Sequence, residues 1–426
     1  MVKTLAEGLK PASVNFETLH KQYNPLLGLV RELIGIVPNC DPVLEIWPAG
    51  FRTYNLLVPN MFNLPGTLFG NKSFKASMGL AMYASSKAAC AYCTAHACSF
   101  ALRRGASNNA ITGQRTPKEQ AVVAFAERLS AVPSQLTLAD VEAVNKYFSK
   151  HETEWLVYSI SMMGFLNKFM NAMGIELEQE AINDTAALLS QTGWQAGIHA
   201  TNGYSFTNNT TPEKDNLFTY LRVLRHAPGA VLWEKQWVKG VPADYEKAAE
   251  YLNQHTGYSF PILKPISKPR VIRTLTAALR DNLSNQQTHT GLKIKMFAAV
   301  IFSGQVLNST LTAEIKNMAS HITPGLTDDK FNSLQELARI EIPAEGSACK
   351  ALVAAVQQRF FITETEAALM LLAIAASHSP ALINGAVIET VLKIVEPAGI
   401  VEMVVWLSVL QLLNRLSNYY AVALNP

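Results

Sequence analysis

The stretch Glu154–Met173 reads EWLVYSISMMGFLNKFMNAM, and its apolar side chains return every three or four positions, the period of an α-helix. The same period runs through Lys118–Leu129, Leu138–Phe148, Glu364–Ala376 and Val387–Leu416. No series of alternating apolar and polar residues broken by hairpin signals accompanies them. The expected fold class is therefore all-α. The most apolar runs, Ala367–Ala376 and Gly399–Leu413, are shorter than a bilayer-spanning helix, and the second carries Glu402, so both are expected as buried core helices and no membrane span is expected.

Composition agrees with a folded chain that hides much surface. Of the 426 residues 49% are apolar and 16% charged, which excludes disordered, collagen-like and coiled-coil classes. A net charge of +3 with well-mixed signs provides no footprint for nucleic acid or an anionic surface. The opening segment MVKTLAEGLKPASVNFETLHKQYNP has no apolar core of signal-peptide length and carries acidic residues, so a cytoplasmic location is expected. The length suggests two domains, each large enough for its own core.

The two halves echo each other. A shift of 218 pairs Lys75, Met78, Ala81, Ser85, Thr94 and Ala95 with the identical residue types Lys293, Met296, Ala299, Ser303, Thr312 and Ala313. Farther along, a shift of 247 pairs Thr116, Glu119, Pro133 and Asn167 with Thr363, Glu366, Pro380 and Asn414, so about 29 extra residues lie between the two blocks of the second half. Between the halves, Asn183–Asn216 is rich in turn formers and polar residues, which predicts a first domain over 1–185, a linker over 186–214 and a second domain over 215–426.

The chemistry sits in Cys90-Ala91-Tyr92-Cys93-Thr94-Ala95-His96-Ala97-Cys98, followed by Ser99–Arg104 and Gly105 as a helix cap. At the start of a helix, Cys90, Cys93 and His96 fall on one face at successive spacings of three. Unpaired N–H groups at the helix start and a nearby imidazole both favour thiolate over thiol. A thiolate attacks a peroxide or a disulfide, and a second cysteine one turn away closes a disulfide on the resulting sulfenic acid. Zinc is the competing reading of Cys90, Cys93, His96 and Cys98, but nine consecutive helical residues do not surround a tetrahedral ion and no second ligand cluster follows.

At these residues the chain resembles the carboxymuconolactone decarboxylase superfamily, in its alkylhydroperoxidase D-like branch, whose signature is Cys-x-Tyr-Cys followed closely by His. Ala101–Gly105 resembles that family's helix end, and Trp155–Met173 with Asn167 and Val404–Leu416 with Asn414 both resemble its long closing helix. The resemblance implies two tandem helical domains of this type and a thiol-dependent peroxidase or thiol–disulfide oxidoreductase. It implies Cys93 as the peroxidatic cysteine, Cys90 as the more exposed resolving partner and His96 as the proton relay. It implies no bound organic cofactor, a hydroperoxide or disulfide substrate, an external dithiol reductant and a homo-oligomer. Two positions depart from the family: Ala97 stands where its histidine usually falls, and Met78 where a relay Glu is usual. Both departures favour dithiol–disulfide exchange over peroxide turnover. At the 218 shift, Cys90, Cys93 and His96 face Asn308, Leu311 and Glu314, so the second half is expected to be chemically silent scaffold.

A non-catalytic scaffold on the same fold with a vestigial cysteine pair is the alternative; a lactone decarboxylase, which needs no cysteine pair, is a third. Cys40, Cys349 and Cys98 are expected as packing residues. His151, His199, His226, His255, His289 and His378 have no catalytic sequence context, and the six tryptophans read as core anchors.

Overall fold

Polar caps set where many of the helices begin. The structure, a computed structural model, describes residues 2–200, 212–284 and 288–424 and is all-helical, with no strand among the described residues. The elements used below are α1 (Phe16–Ile34), α2 (Pro48–Met61), α3 (Lys72–Ser86), α4 (Ala91–Arg103), α5 (Pro117–Ser130), α6 (Leu138–Asn145), α7 (Lys150–Met173), α8 (Gln179–Ser190), α9 (Leu217–Trp237), α10 (Pro269–Leu283), α11 (Leu292–Val306), α12 (Ser309–Ile322), α13 (Glu364–Ser377), α14 (Gly385–Ile394) and α15 (Pro397–Leu424). Thr116 and Glu119 cap α5 reciprocally, as do Ser149 and Glu152 at α7 and Thr363 and Glu366 at α13, each satisfying backbone N–H groups that a helix start leaves unpaired.

The deciding stretch is helical, and α7 begins four residues earlier at Lys150 and ends at Met173. It makes the most extensive helix–helix contact of the molecule, with α15. The single periodic run expected over Val387–Leu416 is two helices, α14 and α15, because Pro397 cannot continue a preceding helix and suits the first turn of a new one. At 28 residues α15 is longer than the apolar run suggested and is the one described helix long and apolar enough to cross a membrane; 89% of its most apolar window is buried against the rest of the protein. Glu402 on it is fully buried and paired with the equally buried Lys295 of α11.

Helices α3 and α4 pack closely because Gly79 has no side chain: a Cβ there would stand 2.6 Å from the Ala101 Cα. The turn after α4 uses Gly105 at φ 98°, a left-handed conformation that glycine adopts without strain. The repeated sequence positions carry repeated local structure. Cys90 caps α4 and Asn308 caps α12, each side chain accepting the N–H three residues on. At the 247 shift, α5, α6 and α7 start where α13, α14 and α15 start. The extra residues of the second half form helices Asp328–Leu337 and Gly346–Phe360.

Of the stretch expected as linker, residues 201–211 lie outside the described residues. In the part before them α8 runs to Ser190, and although most of residues 191–200 are exposed or half-buried, Trp194 donates to the Ala91 carbonyl at 3.1 Å and His199 is buried. Turn-forming composition marks where the chain bends, whereas single large side chains decide whether it is held against the core.

Candidate functional site

Cys90 is the N-cap of α4, with extended backbone, and its sulfur accepts the Cys93 N–H at 3.3 Å. Cys93 occupies the first turn, so the two thiols meet at the positive end of the helix and hydrogen-bond to each other. All five cysteines are free thiols. Cys90, expected as the more exposed partner, is no more open than Cys93: each is 3% exposed.

The imidazole at the thiol pair is His199. Its Nε2 lies 3.9 Å from Cys90 Sγ, and its Nδ1 is 2.6 Å from the Ile175 carbonyl oxygen. A carbonyl only accepts, so Nδ1 carries the proton and Nε2 faces the sulfur, within reach of the thiol proton. Burial opposes an anion at Cys90, but the Cys93 thiol, His199 and the Cys93 N–H outweigh it and hold the Cys90 thiol below the ordinary cysteine range. Burial raises the Cys93 thiol well above that range, and the neighbouring Cys90 charge adds to the effect. His199 is correspondingly raised, because the Cys90 sulfur and the Ile175 carbonyl outweigh its desolvation. The pair thus shares one negative charge, held on Cys90.

His96, expected as the proton relay of the cysteines, is directed elsewhere. Its Nε2 is 2.8 Å from Glu178 Oε2. The other Glu178 oxygen accepts from Tyr92 Oη at 2.8 Å and from the Asn39 N–H at 2.6 Å. Although burial alone would raise its pKa, His96 and these donors hold Glu178 below the ordinary carboxylate range. The Tyr92 ring lies between the two imidazoles, with centroids 4.4 Å from His96 and 5.8 Å from His199. Met78, at the position expected for a relay Glu, is fully buried in α3, and the carboxylate at His96 comes from the residue that begins α8.

Cys93 and His96 also line a cavity of about 260 Å³ whose wall is almost wholly apolar, built from α1, α2, α4, α7 and α9 by side chains such as Leu33, Phe62, Phe100 and Met163. Cys90 lies behind this wall. The cavity reaches Trp237 and a polar end at Glu234 and Arg270, where Arg270 donates to Asn60 at 2.9 Å and Asn60 donates to Glu234 at 3.1 Å.

The far half supplies a cation. Arg415 of α15 is buried, donating from Nη1 to the Ile160 carbonyl at 2.7 Å and from Nη2 to the Ser85 carbonyl at 3.4 Å. Its charge acts on Cys93 and opposes the rise of that thiol, while burial lowers the guanidinium itself to about 9.

Cys98 is buried, which pushes its thiol up to about 12, and Cys40 and Cys349 are buried as well. Among the described residues no group of three or more His, Cys, Asp or Glu side chains is placed to hold a metal ion. His199, Glu178 and Arg415 join the site without a sequence motif: each lies far from the cysteines along the chain and carries no distinguishing spacing. No family model, curated protein or solved structure matches the chain.

Proposed function

We propose that the chain is a thiol-dependent oxidoreductase of the alkylhydroperoxidase D-like kind, built from two related helical units of which the first carries the chemistry. The observation that carries this reading is the joined thiol pair, with one sulfur at the wall of an apolar cavity and the other on an imidazole. The matching caps and helix starts at the 218 and 247 shifts support the two-unit reading.

In this reaction Cys93 passes its proton to the Cys90 sulfur, which holds the pair's negative charge, and the Cys93 thiolate so formed attacks the distal oxygen of a hydroperoxide in the cavity. The S–O bond forms as the O–O bond breaks, and the departing alkoxide takes a proton from His96, which lines the same cavity, to leave as an alcohol. Cys90 then gives its proton to His199 and attacks the Cys93 sulfenic sulfur, breaking the S–O bond to form the disulfide, and the released hydroxide takes that proton from His199 to leave as water. An external dithiol returns the pair to two thiols by two exchange steps and is itself oxidised to a disulfide. With a disulfide substrate, Cys93 attacks one substrate sulfur and Cys90 resolves the mixed disulfide, so the same residues serve both reactions.

The test is a thiol count in stopped flow. The wild type loses two thiols per chain when a hydroperoxide or a disulfide is added. Cys93→Ser abolishes the loss, its Cys90 thiol staying free, and Cys90→Ser stops at a trappable sulfenic acid on Cys93. If both thiols stay free under peroxide and under disulfide, the pair is vestigial and the chain is a scaffold.

A further inference from the structure

Helix α9 roofs the cavity and packs on α1 by one face, with Trp233 against Tyr23 at 5.0 Å between ring centroids and Arg222 bonded to Glu32 at 2.6 Å. Among the described residues nothing covers most of its opposite face. At about 100° per residue, Leu217, Leu221, Leu224, Val231 and Leu232 fall on one stripe. Leu217, Leu221 and Leu232 are 68%, 55% and 66% exposed. Phe218 and Phe69 widen the stripe at one end, at 68% and 59% exposed. Leu224 and Val231 are exposed and also line the cavity, so the outer stripe and the inner wall are one continuous apolar surface leading to Cys93. Scattered exposed leucines need no explanation, but a contiguous stripe at the mouth of an apolar cavity marks a contact surface.

The charges on the stripe select its partner. Arg225 and Lys235 fall on it, and among the described residues of α9 no Asp or Glu does. A second copy packed about a twofold axis through the middle of the stripe, near residue 230, would bring Arg225 against Lys235 of its mate, which is repulsive in an apolar interface. An anionic phospholipid surface accepts both features: the leucines enter the boundary between headgroups and acyl chains, and the cations meet the phosphates. We propose that α9 docks the protein on an anionic bilayer and that the substrate at Cys93 is an apolar, lipid-borne hydroperoxide entering from the membrane side. The docking stands on the stripe alone, whereas the substrate class rests on the redox reading above.

The experiment uses the full chain in co-sedimentation with phosphatidylcholine vesicles made with and without phosphatidylglycerol. The wild type is expected to bind the anionic vesicles, less at high salt, and the Leu221→Ser/Leu232→Ser double variant to bind about tenfold more weakly or less. Arg225→Glu/Lys235→Glu is expected to lose the preference for anionic lipid. None of these four side chains lines the cavity, so thiol loss toward a small water-soluble hydroperoxide, measured on the same samples, should be unchanged in both double variants. The proposal is overturned if the wild type ignores both vesicles, if the leucine variant binds as well as the wild type, or if light scattering shows a dimer that this variant abolishes. Thiol loss without vesicle binding removes the docking alone; vesicle binding without thiol loss removes the redox reading and with it the substrate class.

Discussion

Lys168 and Arg415 stand at matching places on the two longest helices, α7 and α15, and each reaches into the opposite half. Lys168 donates to the carbonyls of Ala376 at 2.8 Å and Ser377 at 3.1 Å, and Arg415 to those of Ile160 and Ser85. The two cations are buried within range of each other. Burial, helped by the Arg415 charge, lowers Lys168 to about 7.

Arg415→Met should therefore have two effects of opposite sense. It strands carbonyls that the guanidinium satisfies and should cost about 2–4 kcal/mol in denaturant unfolding. It also removes a like charge from Lys168, whose pKa should rise, which titration of the labelled lysine would follow by NMR. A variant as stable as wild type would show that Arg415 does not join the halves.

His199→Ala should release the Cys90 thiol toward the ordinary cysteine range, moving the thiolate absorbance at 240 nm up by about 2 pH units. Because His96 bonds to Glu178 rather than to a thiol, His96→Asn should leave that titration nearly in place. Equal shifts in the two variants would return the relay to His96.

Gly79→Ala places a methyl group against the backbone of Ala101, not against a side chain that could turn away. The helix pair that carries the thiols must separate to admit it. A loss of about 1–3 kcal/mol is expected, with a lower Tm by calorimetry.

Glu314, the counterpart of His96 at the 218 shift, is raised to about 7 by burial, despite accepting from the Ile262 N–H and from Tyr258. An unfolded Glu titrates near about 4.3, so the folded state binds this proton more tightly. Its contribution to stability is complete below that value and is lost as pH rises to about 7. Glu314→Gln should gain about 1–2 kcal/mol at pH 8 and little at pH 4, measured by urea unfolding. An equal effect at both pH values would rule out the titration.

The all-helical class was legible because α7, α13 and α15 bury apolar residues at a helical period, and the thiol pair because Cys90 and Cys93 are neighbours in sequence. The split at Pro397 was also written there, in a residue that ends one helix and begins another. What the local pattern could not convey is which distant polar group arrives at the sulfurs. His199 lies within a polar, turn-rich stretch that resembles a connection, and its place beside Cys90 is set by its own buried ring, its bond to the Ile175 carbonyl and the neighbouring Trp194. Glu178 and Arg415 are single charges on helices whose burial depends on the assembled core, and no spacing between them and the cysteines foreshadows the contact.

Because the guanidinium that faces Cys93 is carried on α15, synthesis delivers the cysteines long before the residue that completes their surroundings. A nascent chain halted ahead of this helix would hold both sulfurs without that counter-charge.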